Sequence, residues 1–126
     1  MKRKRILIIE DEPYMVELLK TRLEANNYEV IVAYDGMEGW RKARNEHPDL
    51  ILLDIMLPGM DGFKICKLLK HDVRYRNVPI IMLTARANKE DMMMGKEAGA
   101  DAYIAKPFDS KLLIQKIEEL LGGKHE

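Results

Sequence analysis

The chain has 126 residues, 47% hydrophobic and 33% charged, which suits one globular domain with a substantial core. Lys plus Arg and Asp plus Glu both number 21, so there is no basic excess of the kind that grips nucleic acid electrostatically. The single cysteine, Cys66, excludes an internal disulfide, and no apolar stretch approaches the ~20 residues of a membrane span. The basic start, Met1 to Arg5, leads into only four apolar residues, Ile6 to Ile9, before acids follow, which is too short for a secretory leader. These features point to a cytoplasmic protein whose basic start is a solvated lead-in to the first strand. The expected organisation is one domain over 1–126, with a core over about 4–121 and a short polar tail from Gly122 to Glu126.

Short apolar runs alternate with amphipathic segments along the whole chain. The first strand is expected over 5–10, ending in Glu10-Asp11-Glu12-Pro13. Helix 1 follows over 13–26, with Pro13 in its first turn and an apolar stripe of Met15, Leu18, Leu19 and Leu23. A strand over 29–33 and a helix over 36–46 come next; Met37 and Trp40, three apart, read as packing residues. The run Leu50-Ile51-Leu52-Leu53 predicts a buried strand over 50–54, closed by Asp54 and a turn-rich stretch, Leu57-Pro58-Gly59-Met60-Asp61-Gly62. Helix 3 is expected over 61–71, with Cys66 an inert thiol beside Ile65 and Leu69, and His71 to Arg76 a solvated loop. A strand over 79–84 precedes a helix over 88–98 that Gly99 caps. In that helix, burial of part of Met92-Met93-Met94 is the plainer reading and an exposed methionine on a partner surface the sharper one. A last strand over 101–105 leads to a helix over 109–121, capped by Asp109, carrying Leu112, Leu113, Ile117, Leu120 and Leu121, and stopped by Gly122-Gly123. His47, His71 and His125 read as peripheral.

Five strands alternating with five helices predict an α/β fold, a doubly wound parallel sheet covered on both faces. Strand order 2-1-3-4-5 sets strands 1 and 3 side by side at the topological switch point, where such folds build their sites. Glu10, Asp11 and Asp54 then converge on one crevice. Three charges that close repel, so either their pKa values rise or a divalent cation sits among them. An all-oxygen set favours a hard ion such as Mg²⁺. Thr84 ends the fourth strand and Lys106 follows the fifth, supplying a hydroxyl and an ammonium suited to phosphoryl oxygens. With Asp54 as a carboxylate nucleophile, the set suggests an acyl-phosphate intermediate. Taken singly the pieces are weaker: Glu10-Asp11-Glu12 before Pro13 is also a normal helix start.

The chain resembles the receiver domains of bacterial two-component response regulators. The resemblance is carried by Ile6 to Pro13, Leu53 to Gly62, Leu83-Thr84-Ala85, Gly99-Ala100-Asp101 and Lys106-Pro107-Phe108, and spans about residues 4–121. It implies a flavodoxin-like (βα)5 fold and phosphoryl transfer to Asp54 from a histidine kinase or phosphotransfer protein. It implies Mg²⁺ held by Asp11 and Asp54, by Glu10 through water and by the backbone carbonyl of Met56. It further implies that Thr84 and Lys106 hold the phosphoryl oxygens, and that Lys106–Pro107 is cis. Thr84 and Tyr103 would form a switch that alters the helix 4–strand 5–helix 5 face for a downstream partner, an output domain or a phosphorylation-dependent dimer.

The chain departs from the family pattern at several positions. Glu10 stands where Asp is frequent, and Met56 and Arg86 occupy positions where the family varies its dephosphorylation rate. Asp101 is followed by Ala102, and helix 5 has Lys111 and Lys116 but no Arg, which weakens the match to receivers that dimerise beside winged-helix DNA-binding domains. The competing function is an Mg²⁺-dependent phosphatase working through an aspartyl phosphate. Its usual second acid, two residues after the nucleophile, is Met56 here. A third reading is a receiver-like module that never takes phosphate, against which the set Asp11, Asp54, Thr84 and Lys106 speaks.

Overall fold

A computed structural model describes residues 2–122. The elements run β1 (Arg5–Ile9), α1 (Pro13–Ala25), β2 (Glu29–Ala33), α2 (Gly36–Asn45), β3 (Leu50–Leu53), α3 (Gly62–Lys70), β4 (Ile80–Thr84), α4 (Lys89–Ala98), β5 (Ala102–Ala105) and α5 (Ser110–Leu120). The five strands form one parallel sheet in the order β2-β1-β3-β4-β5. The expected architecture is therefore the observed one. The differences are at the ends: Glu10 and Asp54 each lie one residue beyond their strand, and Pro79 and Asp101 each lie just before one. The expected tail beyond Gly122, with Gly123 and His125, lies outside the described residues.

Alternation along each strand divides the core in two, because successive side chains point to opposite faces. Leu7, Ile9, Ile51, Leu53, Ile80 and Met82 face α2, α3 and α4 and meet Ala43, Ile65, Cys66, Leu69 and Ala98. Ile6, Ile8, Leu50, Leu52, Ile81 and Leu83 face α1 and α5 and meet Leu19, Leu23, Leu113 and Ile117. Strands β1, β3 and β4 are buried on both sides, so they read as unbroken apolar runs. Each fully buried Leu or Ile contributes about 1.5–3 kcal/mol of transfer free energy. This layer holds the carboxyl ends of the strands still.

The helices correct several expectations about which residues are inside. In α1 the buried stripe is Val16, Leu19 and Leu23, spaced i, i+3, i+7, and Met15 and Leu18 flank it half-buried. In α5 Leu113 and Ile117 are buried while Leu112 faces solvent. Met37 is exposed, while Trp40 packs against the core beneath the guanidinium of Arg44, 4.7 Å from the ring centre. Tyr75, inside the segment expected to be solvated, also packs on the core, while Asp72 accepts three hydrogen bonds from Arg74. The largest departure is in α4, where Met92, Met93 and Met94 are 45%, 59% and 46% exposed and the buried face is Asp91, Gly95 and Ala98.

Cys66 is buried with Ile65 and Leu69 as expected, and burial pushes its thiol up to about 12. His47 and His71 are exposed. Gly99 caps α4 with φ 99°, Asp109 caps α5, and the Lys106–Pro107 peptide is cis.

Candidate functional site: an acidic crevice at the switch point

β1 and β3 are hydrogen-bonded neighbours, with Ile9 opposite Leu53, so the residues that follow them emerge together. The Asp54 amide continues the ladder by donating to the Ile9 carbonyl at 3.0 Å, and the Glu10 amide donates to Ala33 at 3.0 Å. Local geometry then separates the acids by task. Glu12 is the N-cap of α1, its carboxylate accepting from the Met15 amide at 2.9 Å. Helix capping therefore accounts for Glu12, while Glu10 accepts the Glu12 amide on Oε2 at 3.2 Å and keeps Oε1 for the crevice.

Glu10, Asp11 and Asp54 each offer a carboxylate oxygen within 4.8 Å of the others. Glu10 is 3% exposed and Asp54 7%, while Asp11 sits exposed at the rim. Lys106 reaches in from the end of β5 and donates to Glu10 Oε1 at 2.6 Å and to Asp54 Oδ2 at 3.1 Å. The other Asp54 oxygen, Oδ1, accepts from the Met56 amide at 3.0 Å. Burial, aided by the charge of Asp54, pushes the Glu10 carboxyl above the usual carboxylate range against the opposing pull of Lys106. Burial also acts to lower the Lys106 ammonium, but its hydrogen bond to Glu10 and the charges of Asp54 and Glu10 outweigh that, holding it above its ordinary value.

The wall of the crevice is a tight turn. The Gly62 amide, at the start of α3, donates to the Ile55 carbonyl at 3.3 Å. A Cβ on Gly62 would lie 2.5 Å from Ile55 Cα and 2.6 Å from the Asp54 carbonyl oxygen, so only glycine lets α3 start this close to Asp54.

Thr84 ends β4, is fully buried, and accepts through Oγ1 from the Arg86 amide at 3.3 Å. The Tyr103 hydroxyl, on β5, donates to the Arg86 carbonyl. The Arg86 guanidinium is held in turn by Asp91, with Nη2 to Oδ1 at 2.6 Å and Nε to Oδ2 at 3.4 Å. Asp91 was not among the residues singled out from sequence. Its one signal is the spacing Asn88 to Asp91, which marks a helix start, and the Asn88 side chain does accept from the Asp91 amide. Nothing in that signal announces that Asp91 is 4% exposed.

A doubly wound sheet with an acid-lined crevice at its β1/β3 switch point, and with a lysine reaching into it, defines a class: α/β domains that carry a charged site at the carboxyl edge of the sheet. The chain belongs to the response regulator receiver domain family, whose pattern matches residues 6–118. It is 43% identical over 93% of its length to the DNA-binding dual master transcriptional regulator RpaA of Synechocystis, and it spans 48% of that protein. Among solved structures, a putative response regulator from Chloroflexus aurantiacus superposes with a TM-score of 0.91 at 34% identity, covering 96% of this chain and 99% of that one. The receiver domain of the sensor histidine kinase PA1611 from Pseudomonas aeruginosa, solved with a magnesium ion in its active-site cleft, gives 0.88 at 32% identity, covering 96% and 99%. Receiver domains of this family relay signals from histidine kinases to output partners. No helix among the described residues is long and apolar enough to cross a membrane.

Proposed function

We propose that Asp54 is the phosphoacceptor of a switch that works with Mg²⁺. The observation that carries this is the charge imbalance of the crevice among the described residues: carboxylates of Glu10, Asp11 and Asp54 within 4.8 Å, answered by the ammonium of Lys106. Each ionised pair at that range repels by about 3–4 kcal/mol at an effective dielectric near 20. The donor set fits the ion, being all oxygen with one acid at a solvent-open rim, as a hard, partly hydrated cation requires. Asp11 and Asp54 would hold it, supported by Glu10 and the Met56 backbone carbonyl. When bound, Mg²⁺ supplies the positive charge that offsets these acids and the incoming phosphoryl oxygens.

An Asp54 carboxylate oxygen attacks the phosphorus of a phosphohistidine on a histidine kinase or a phosphotransfer protein. A P–O bond forms, the P–N bond breaks, and the imidazole nitrogen keeps its electron pair and is protonated from solvent. Lys106 is already hydrogen-bonded to Asp54, so its ammonium stands where charge on the transferred group develops. Thr84 accepts from the Arg86 amide, which leaves its hydroxyl hydrogen free to donate to a phosphoryl oxygen. Taking that new partner draws Thr84 inward and biases Tyr103 and the α4–β5–α5 face, which a downstream partner reads as a shifted population. Met56, which stands two residues after Asp54, is no general acid, so the phosphoryl group is held and read rather than rapidly turned over.

The test is incubation with acetyl phosphate and Mg²⁺ followed by intact mass. One phosphoryl group is expected on the wild type and none on Asp54→Asn. Equal addition to both would overturn the reading.

A further inference from the structure

Helix α4 turns its large apolar residues away from the protein. Met92, Met93 and Met94 face solvent, and the stripe against the sheet is Asp91, Gly95 and Ala98, spaced i, i+4, i+7. A stripe with no large apolar side chain gains little from burial. Attachment of α4 therefore rests on a few specific contacts, one with Tyr103 of β5 and one with Arg86 just past β4. A Cβ on Gly95 would lie 2.7 Å from Tyr103 Cδ2, so the Tyr103 ring lies directly on the helix backbone. One turn earlier, buried Asp91 grips the Arg86 guanidinium with both oxygens. Arg86 in turn donates its amide to Thr84 Oγ1 and accepts the Tyr103 hydroxyl on its carbonyl. A single residue thus joins Thr84, Tyr103 and α4.

We propose that Asp91 is a positioning residue for the switch: by holding the Arg86 side chain it fixes the Arg86 peptide between Thr84 and Tyr103, and so transmits a change at Asp54 to α4. The inference rests on the receiver reading of Asp54. A first-turn acid that merely favoured the helix dipole would need neither burial nor a bidentate partner. Asp91 has both, because the Asn88 cap fixes its backbone and the rotation that sets Gly95 under Tyr103 turns it inward. The weak apolar hold of α4 makes such a clamp decisive, since elements with few buried apolar contacts are the ones that shift first.

The test is a titration of the 126-residue chain in Mg²⁺ with beryllofluoride, a phosphoryl mimic, followed by ¹H–¹⁵N spectra. In the wild type, signals around Asp54, Tyr103 and α4 shift together. In Asp91→Ala, signals beside Asp54 still shift at saturation, those of Tyr103 and α4 shift far less, and the half-saturating concentration rises about tenfold, mid-range for coupling between sites. Asp91→Glu, which keeps the carboxylate, restores most of the response. If Asp91→Ala does not fold, Asp91→Asn, which keeps the shape and strands no buried charge but loses the charged two-point grip on Arg86, is expected to show the same split. A full response at Tyr103 and α4 with half-saturation within twofold of wild type overturns the proposal. So does a uniform loss at Asp54 and α4 that Asp91→Glu does not repair. A wild-type chain that shows no shift around Asp54 instead removes the phosphoryl site itself, and with it this inference.

Discussion

At the β1–β3 crevice three carboxylates share one ammonium, whereas at the start of α4 one carboxylate meets one guanidinium. Both places bury acids: Glu10, Asp54 and Asp91 are each under 10% exposed, at 3%, 7% and 4%. Their chemistry differs in balance. The Asp91–Arg86 pair matches charge for charge with a bidentate contact, the arrangement that fixes one side chain against another. In the crevice Lys106 divides itself between Glu10 and Asp54 while Asp11 stays at the rim, and burial leaves the Glu10 carboxyl inclined to keep its proton. A buried acid alone therefore does not mark a cation or phosphoryl site. An uncompensated excess of acids open to solvent at a switch point says much more.

That contrast can be broken in three ways. The largest effect is expected at Lys106. Lys106→Met removes the ammonium bonded to Glu10 and Asp54, and phosphorylation by acetyl phosphate should slow about a hundredfold, as loss of a preorganised donor does. Quench-and-mass kinetics read this directly, and a rate within threefold of wild type would mean Lys106 is structural.

Next in size is the response to Mg²⁺. An ion that binds only the folded chain adds ~1.4 kcal/mol at ten times its dissociation constant, raising Tm by about 5 °C for a chain of this size. Thermal unfolding at constant ionic strength should show that rise in the wild type, keep it in Asp91→Ala, and lose it in Asp11→Ala. A rise retained in Asp11→Ala would place the ion elsewhere.

The smallest effect sharpens the second region. Arg86→Ala strands a buried carboxylate, while Asp91→Ala releases a guanidinium whose side chain is already 46% exposed. Denaturant midpoints should therefore fall further for Arg86→Ala than for Asp91→Ala. The reverse order would mean that Asp91 matters as a helix residue and not as a partner.

The crevice was legible in the sequence because its members are tied to strand ends. A short apolar run that stops at Asp54, and another that stops at Glu10, fix both position and edge before any tertiary contact is known. The run Glu10-Asp11-Glu12 was ambiguous as a possible helix start, and in the fold Glu12 is its cap, through a side-chain bond to the Met15 amide. The second region was not legible, for a physical reason. Whether Asp91 or the methionines of α4 face inward depends on how the helix is rotated about its axis. That rotation is set by Gly95 against the Tyr103 ring, a contact between two elements that the periodicity of α4 by itself does not report. Hydrophobic periodicity would bury methionine before aspartate, and the close approach of Tyr103 overrides it. Met37 is also exposed, and α2 meets the core through Trp40 and Ala43 instead.

The most direct test of the account is the location of the phosphoryl bond. Borohydride reduction of the acetyl-phosphate-treated chain converts an aspartyl phosphate to homoserine, and peptide mass spectrometry finds the position. The account predicts homoserine at position 54, with Asp11 and Asp91 unchanged. Homoserine at either of those positions, or a phosphoryl group that survives reduction on another side chain, would contradict it.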